Sequence, residues 1–205
     1  MGRPPLPSHR QGRATVNTAP LRLAVIVGST REGRFGPTVA DWFVREARTH
    51  TGFEVDVIDL ADAGIPNTLS GEPTPEVAAV TPRLATADAF VVITPEYNHS
   101  YPASLKAAID WHFPQWQAKP VAFVSYGGVS GGLRAVEHLR QVFAELHAVT
   151  VRDTVSFHMA WERFDKDGEP LDAAVVNGAA KRMLDQLVWW GRALRQARDE
   201  VPYTA

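Results

Sequence analysis

Three segments of this chain carry residue types whose spacing suits chemistry. The first, Gly28-Ser-Thr-Arg-Glu-Gly-Arg-Phe-Gly-Pro37, brings together two arginines, two hydroxyls and three glycines. Arg31 and Arg34 can form charge-assisted, bidentate bonds to a phosphate. A helix starting near Phe35 would aim its positive end at the same anion. A solvated turn with two surface arginines reads the same residues equally well. The second segment, Thr94-Pro-Glu-Tyr-Asn-His-Ser-Tyr-Pro102, is stiffened by Pro95 and Pro102. Its aromatic and amide groups suit a flat heteroaromatic ring that needs hydrogen bonds at its edge. Otherwise Tyr97 and Tyr101 cap the core and Glu96 is solvated. The third, Ser125-Tyr-Gly-Gly-Val-Ser-Gly-Gly132, has glycine at 127, 128, 131 and 132. That pattern lets backbone approach a ligand closely, or simply makes a flexible turn before a helix.

Other chemistries fit less well. Gly28 and Gly33 have the spacing of a Walker loop, but Arg34-Phe35 stands where Lys-Ser/Thr is needed. Thr30 occupies the middle glycine position of a dinucleotide fingerprint. Gly128-Val-Ser-Gly-Gly132 matches G-x-S-x-G between a strand and a helix, which makes Ser130 a candidate hydrolase nucleophile. Its acid and base would have to be Asp153 and His158, only five residues apart. No HExxH occurs, and Glu137-His138, being adjacent, face two directions on a helix; no metal ligands are expected. The chain has no cysteine, which excludes disulfides, Cys-ligated zinc, iron–sulfur clusters and thiol nucleophiles.

The elements that must position these segments alternate in type. Leu21 to Val27 is a short apolar run ending at Gly28, hence a buried strand. A helix follows from Phe35 to His50, with Val39, Trp42, Phe43 and Ala47 on one side. Phe53 to Leu60 alternates and predicts a half-exposed edge strand. A Gly/Pro-rich loop over 61–75 leads to a helix over about 75–86. Ala89 to Thr94 is a second buried strand, and Ala103 to Phe113 a helix. Pro120 to Ser125 is a third buried strand, followed by an amphipathic helix from Leu133 to Leu146. Val149 to Val155 is the last strand. A long helix from Leu171 to Arg198 closes the chain, with Asn177-Gly178 as a candidate break. Strands alternating with helices imply right-handed crossovers and a parallel sheet covered on both faces. Five strands fit an α/β, flavodoxin-like, doubly wound sheet of order 2-1-3-4-5. In that fold all three segments meet outside the carboxyl ends of the strands, where ligands bind.

Composition agrees with one such domain over residues 21–200. The chain has 205 residues, 45% apolar and 21% charged, with a net charge of −2, close to the globular average. That balance gives no electrostatic footprint for nucleic acid, and no apolar run approaches a membrane span. Residues 1–20 hold four prolines and three arginines, no acid and no apolar signal region. They are expected to be a disordered tail, and a cytoplasmic location is compatible with the absence of cysteine.

The three segments, with Pro-Glu-Tyr-Asn leading into Leu105-Lys106 and Asp110, make residues 21–150 resemble the NADPH-dependent FMN reductase family. The resemblance implies a flavodoxin-like fold, FMN as cofactor and NAD(P)H as co-substrate. It implies hydride transfer through the flavin to quinones or similar small acceptors, and a homodimer or homotetramer. By that resemblance Ser29, Arg31, Arg34, Gly36, Pro37 and Thr38 contact the phosphate. Pro95, Glu96, Tyr97 and Asn98 line the ribityl chain and ring, and Ser125, Gly127 and Gly128 lie at the ring's other edge. Trp111, Phe113 and Trp116 are candidate interface anchors. No side chain needs to act as acid, base or nucleophile, because the cofactor carries the chemistry. The alternatives are an FMN-binding electron carrier and, less well supported, a serine hydrolase using Ser130. Carriers are typically more acidic than this chain.

Overall fold

The structure, a computed structural model, describes residues 19–204. The expected tail over 1–20 therefore lies, but for its last two residues, outside the described residues. Five parallel strands form one sheet in the order β2-β1-β3-β4-β5. They are β1 (Leu21–Val27), β2 (Phe53–Asp59), β3 (Ala89–Pro95), β4 (Pro120–Tyr126) and β5 (Val149–Phe157). The crossovers are α1 (Gly36–Thr49), α3 (Pro75–Thr86), α4 (Ala103–Asp110) and α5 (Leu133–Glu145). A one-turn helix, α2 (Leu60–Ala63), follows β2, and α6 (Ala173–Glu200) closes the chain.

Period-two alternation along each strand sorts the core into two halves. Leu21, Leu23, Val25 and Val27 of β1, with Val91, Ile93, Ala122 and Val124, face α1 and α6. Ala24, Ile26, Phe90, Val92, Val121 and Phe123 face α3, α4 and α5. The inner strands β3 and β4 are buried along their whole length, whereas β2 alternates as an edge strand must. Glycine sets one close approach: a Cβ on Gly191 of α6 would fall 2.5 Å from Leu21 Cδ1.

Three local expectations are corrected. Asn177-Gly178 does not break α6, because the Asn177 side-chain carbonyl is occupied, accepting a bond from Trp42 Nε1 at 2.8 Å. Trp116 is no interface anchor: it is buried between Phe90 and Phe143. Trp111 is half-buried and bonds the Pro66 carbonyl, so of the three aromatics Phe113 alone is exposed. The gap between Phe157 and α6 contains a 3₁₀ turn, Ala160–Glu162, that the sequence does not announce.

The opposite end of the sheet holds a buried cation. Lys119 Nζ donates to the Leu84 and Ala85 carbonyls at 3.1 and 2.8 Å, closing the last turn of α3. Burial, reinforced by Arg198 and opposed by Asp88, pulls its ammonium down to about 8 from 10.5. Between those values the unfolded chain binds the proton that the fold has released. Stability therefore rises with pH across that window. The expected gain from about pH 7.5 to about pH 9.5 is about 1–2 kcal/mol. Urea unfolding at the two pH values checks it, and Lys119→Met should show no such rise.

Candidate functional site

The carboxyl ends of β1, β3 and β4 bring the three segments together, and β2 and β5 add residues from the sides. Loop one leaves β1 at Gly28, whose N–H donates to the Ile93 carbonyl at 2.8 Å. Its own carbonyl accepts the Ser104 hydroxyl at 3.1 Å. A Cβ at Gly28 would lie 3.2 Å from both the Ile93 carbonyl oxygen and Leu105 Cδ2, so only glycine fits without displacing β3 or α4. Ser29 is fully buried beneath the loop and accepts the Tyr126 hydroxyl at 3.0 Å. Burial pushes the Tyr126 phenol well above its ordinary range, so it stays a donor. This hydroxyl pair sits where a side chain on Gly36 would have to go. A Cβ there would overlap Ser29 Oγ and lie 2.9 Å from Tyr126 Oη.

The two arginines of loop one separate in role. Arg34 Nη1 donates to Asp59 Oδ1 at 2.6 Å and to the Ser29 carbonyl at 2.7 Å, while Nη2 donates to Asp59 Oδ2 at 2.8 Å. Three of its five N–H donors are thus spent inside the protein. Arg31 has no carboxylate partner among the described residues; it is exposed, with its guanidinium 5.7 Å from the centre of the Tyr97 ring. Between Thr30 and Thr38 no backbone N–H donates to another described residue. Helix α1 opens on Gly36-Pro37-Thr38 with no side-chain cap and no acid in its first turn. The result is a set of N–H groups at the positive end of a helix with no acceptor among the described residues, beside a guanidinium with no carboxylate partner among them.

Loop two leaves β3 at the buried Pro95. Tyr97 and Ser100 exchange backbone bonds at 2.8 and 3.1 Å around Asn98 and His99, both at positive φ, 47° and 76°. That is a tight type I′ turn, which presents Asn98 at an exposed tip. Glu96 points the other way. Its carboxylate accepts from Arg134, by a 2.6 Å contact to the guanidinium and a 3.2 Å bond from the backbone N–H. Burial alone would raise this carboxyl; bonds from the Ser130 hydroxyl and Arg134 outweigh it and hold it below the ordinary value. Glu96 therefore ties loop two to the first turn of α5, just beyond loop three, by its side chain.

Loop three is held from beneath. Ser125 and Ser156 both donate to the Gly131 carbonyl, at 2.9 and 2.8 Å. Gly132 lies at φ 85°, where a Cβ would press on Ser125 and on the Tyr126 N–H. Ser125 is fully buried and spends its hydroxyl on shaping the loop, so its side chain braces the site from below. Gly127 and Gly128 stay partly exposed, and their carbonyls accept from Ala160 and Met159 at 3.0 and 2.9 Å. The residues that sequence reasoning passed over are Asp59, Ser104, Tyr126, Arg134 and Trp161. Asp59 and Tyr126 stand at carboxyl ends of strands, which was the available signal. Nothing local marks the others.

A hydrolase centre is not assembled. Among the described residues the Ser130 hydroxyl makes no hydrogen bond to an imidazole. His158 turns Nδ1 to the Val129 carbonyl at 2.8 Å, and Asp153 pairs with Arg152 and Gln186. Among the described residues no group of three His, Asp or Glu could hold a metal ion, and no helix is long and apolar enough to cross a membrane.

The donor set suits a phosphomonoester on a flat ring system. Loop one offers charge and N–H groups for the phosphate, and loops two and three offer backbone and amide groups for the ring. Comparison with known proteins agrees. The family model for NADPH-dependent FMN reductases matches residues 21–162. The chain is 37% identical over 122 residues to the NAD(P)H-dependent FMN reductase C4B3.06c of Schizosaccharomyces pombe, covering 54% of this chain and 60% of that one. It is 32% identical over 170 residues to the probable NADPH:quinone oxidoreductase 2 of rice, Oryza sativa, covering 76% and 81%. The fold matches that of FerB, a flavoenzyme NAD(P)H:(acceptor) oxidoreductase of Paracoccus denitrificans, with a TM-score of 0.68 at 24% identity, covering 84% of this chain and 98% of that one.

Proposed function

This chain belongs to the NADPH-dependent FMN reductase family, and from that premise we propose that it binds FMN across its three loops and passes reducing equivalents from NAD(P)H to quinones or similar small acceptors. The observation that carries the proposal is the set of N–H groups between Thr30 and Thr38, Pro37 excepted, that find no acceptor among the described residues, set beside Arg31. Such a set fits a dianionic phosphate and leaves a neutral hydroxymethyl group poorly matched.

Bound there, FMN supplies hydride acceptance from NAD(P)H and two-electron donation to the acceptor. The residues of this chain bind and orient. Arg31, the N–H groups of Gly36 and Thr38, and the Thr38 hydroxyl hold the phosphate. Ser29 supports the loop floor through Tyr126, and Pro37 starts the helix. Arg34 acts through Asp59 and the Ser29 carbonyl, fixing the loop's shape rather than meeting the anion head-on. Pro95, Tyr97 and Asn98 line one side of the ring, and Gly127 and Gly128 the other. Glu96 fastens the second loop to the first turn of α5, and Ser125 holds the shape of the third loop. No side chain is assigned a proton-transfer step.

The location is assigned to the cytoplasm and the assembly to a homodimer or homotetramer. The exposed Trp189–Trp190 pair, with ring centres 5.0 Å apart on α6, offers one apolar surface for a second copy. The test of the FMN reading is a titration of apoprotein with FMN and with riboflavin. FMN should bind at least about a hundredfold more tightly, the equivalent of about 3 kcal/mol at the phosphate. Equal affinities would remove loop one from the site.

A further inference from the structure

Resting on the FMN reading, we propose that Trp161 is the side wall of the acceptor site, a specificity-determining residue against which a quinone ring packs as it meets the flavin. Six tryptophans occur in this chain, and this one is placed unlike the others. Trp42 and Trp116 are buried, Trp111 bonds Pro66, and Trp189 and Trp190 pair with each other on α6. Trp161 is 58% exposed and stands beside Gly128 of loop three. Its Cη2 lies 3.7 Å from the position a Cβ on Gly128 would take.

That exposure is built in. The N–H groups of Met159 and Ala160 donate to Gly128 and Gly127, fixing the 3₁₀ turn to the loop. Met159 takes a left-handed φ of 49° to make the bend, a conformation that non-glycine residues seldom adopt. Ala160 and Phe164, on either side, are buried and anchor the turn in the core. Trp161, the one apolar side chain between them, is therefore held out beside the loop. The indole N–H has no partner among the described residues, and Val129, 88% exposed, adds a second apolar group from loop three itself. A Cβ at position 128 would lie in ordinary van der Waals contact with the indole, which places the ring directly beside loop three. An aromatic face of this kind gains from stacking a flat ring and gains nothing from a compact inorganic anion.

The test uses the FMN-loaded protein with Trp161→Ala and Trp161→Phe, and menadione and ferricyanide as acceptors at saturating NADPH. Trp161→Ala should raise the KM for menadione about tenfold, the equivalent of about 1.4 kcal/mol. It should leave the KM for ferricyanide at the wild-type value, and Trp161→Phe should restore most of the menadione affinity. Menadione titrated into the oxidised holoprotein, followed by perturbation of the flavin spectrum, should show the same tenfold weakening without turnover. Unchanged menadione KM and affinity in Trp161→Ala would overturn the proposal. So would an equal rise for ferricyanide, or a loss of FMN affinity, either of which marks a structural role. If the wild-type protein fails to hold FMN, the FMN reading itself fails, an outcome distinct from these.

Discussion

Alanine at position 36 should cost the protein both stability and its cofactor. The added methyl has no room: it would overlap Ser29 Oγ and meet Tyr126 Oη at 2.9 Å. Neither neighbour can swing aside freely, because Ser29 is fully buried and Tyr126 is held between the strand and Phe35. Overpacking of this kind costs about 1–3 kcal/mol. Relief requires the Ser29–Tyr126 bond to break or loop one to lift away from β4. Either change moves the first N–H groups of α1, so FMN affinity should fall at least about tenfold, the equivalent of about 1.4 kcal/mol. Thermal unfolding of the apoprotein and an FMN titration measure the two effects separately. A variant that binds FMN normally would show that the first turn of α1 does not depend on this packing.

Arg31→Ala should weaken FMN binding by about 1.5–3 kcal/mol, the worth of hydrogen bonds to a charged group. Apoprotein stability should hardly change, because Arg31 is exposed and its described contact is the Tyr97 ring. Riboflavin affinity should not change either, since riboflavin lacks the phosphate. Arg34→Ala should behave in the opposite way. It removes three hydrogen bonds and the one cation paired with Asp59 among the described residues, so the apoprotein itself should become less stable. Asp59 keeps the Ala61 N–H as a donor at 3.0 Å, which limits that loss. If Arg31→Ala weakened riboflavin as much as FMN, the arginine would be acting on the ring and not on the phosphate.

The contrast between these two arginines shows where sequence reading stops. Both stand in a Gly-rich loop and both are the right type for a phosphate. What separates them is Asp59, which lies 25 residues from Arg34. The pair forms because parallel register sets Val27 opposite Asp59 and so brings the end of β2 beside loop one. No local pattern records that register. Ser125 is a similar case: its type suits a ligand, but its hydroxyl is spent on Gly131, six residues on, once the loop folds over β4. The strand order, by contrast, was legible. Fully apolar runs at 89–94 and 120–125 demand burial on both faces, the alternating run at 53–60 demands an edge, and right-handed crossovers leave few ways to combine them. The meeting of the three loops followed from that order. Trp116 was misplaced as an anchor because an aromatic beside a loop looks the same whether it points in or out. Trp161 went unnoticed because the 3₁₀ turn that presents it is held by bonds to Gly127 and Gly128, more than thirty residues earlier.

The central claim is that this protein carries electrons from NAD(P)H to an acceptor through FMN held by the three loops. The most direct measurement follows the yellow colour of the FMN-loaded protein under anaerobic conditions, first with NADPH and then with menadione. The account predicts that NADPH alone bleaches the colour stoichiometrically and that menadione, added afterwards, restores it. A flavin that NADPH and NADH both fail to bleach, or that bleaches but stays bleached in the presence of menadione, would contradict it and leave the chain as an FMN-binding electron carrier.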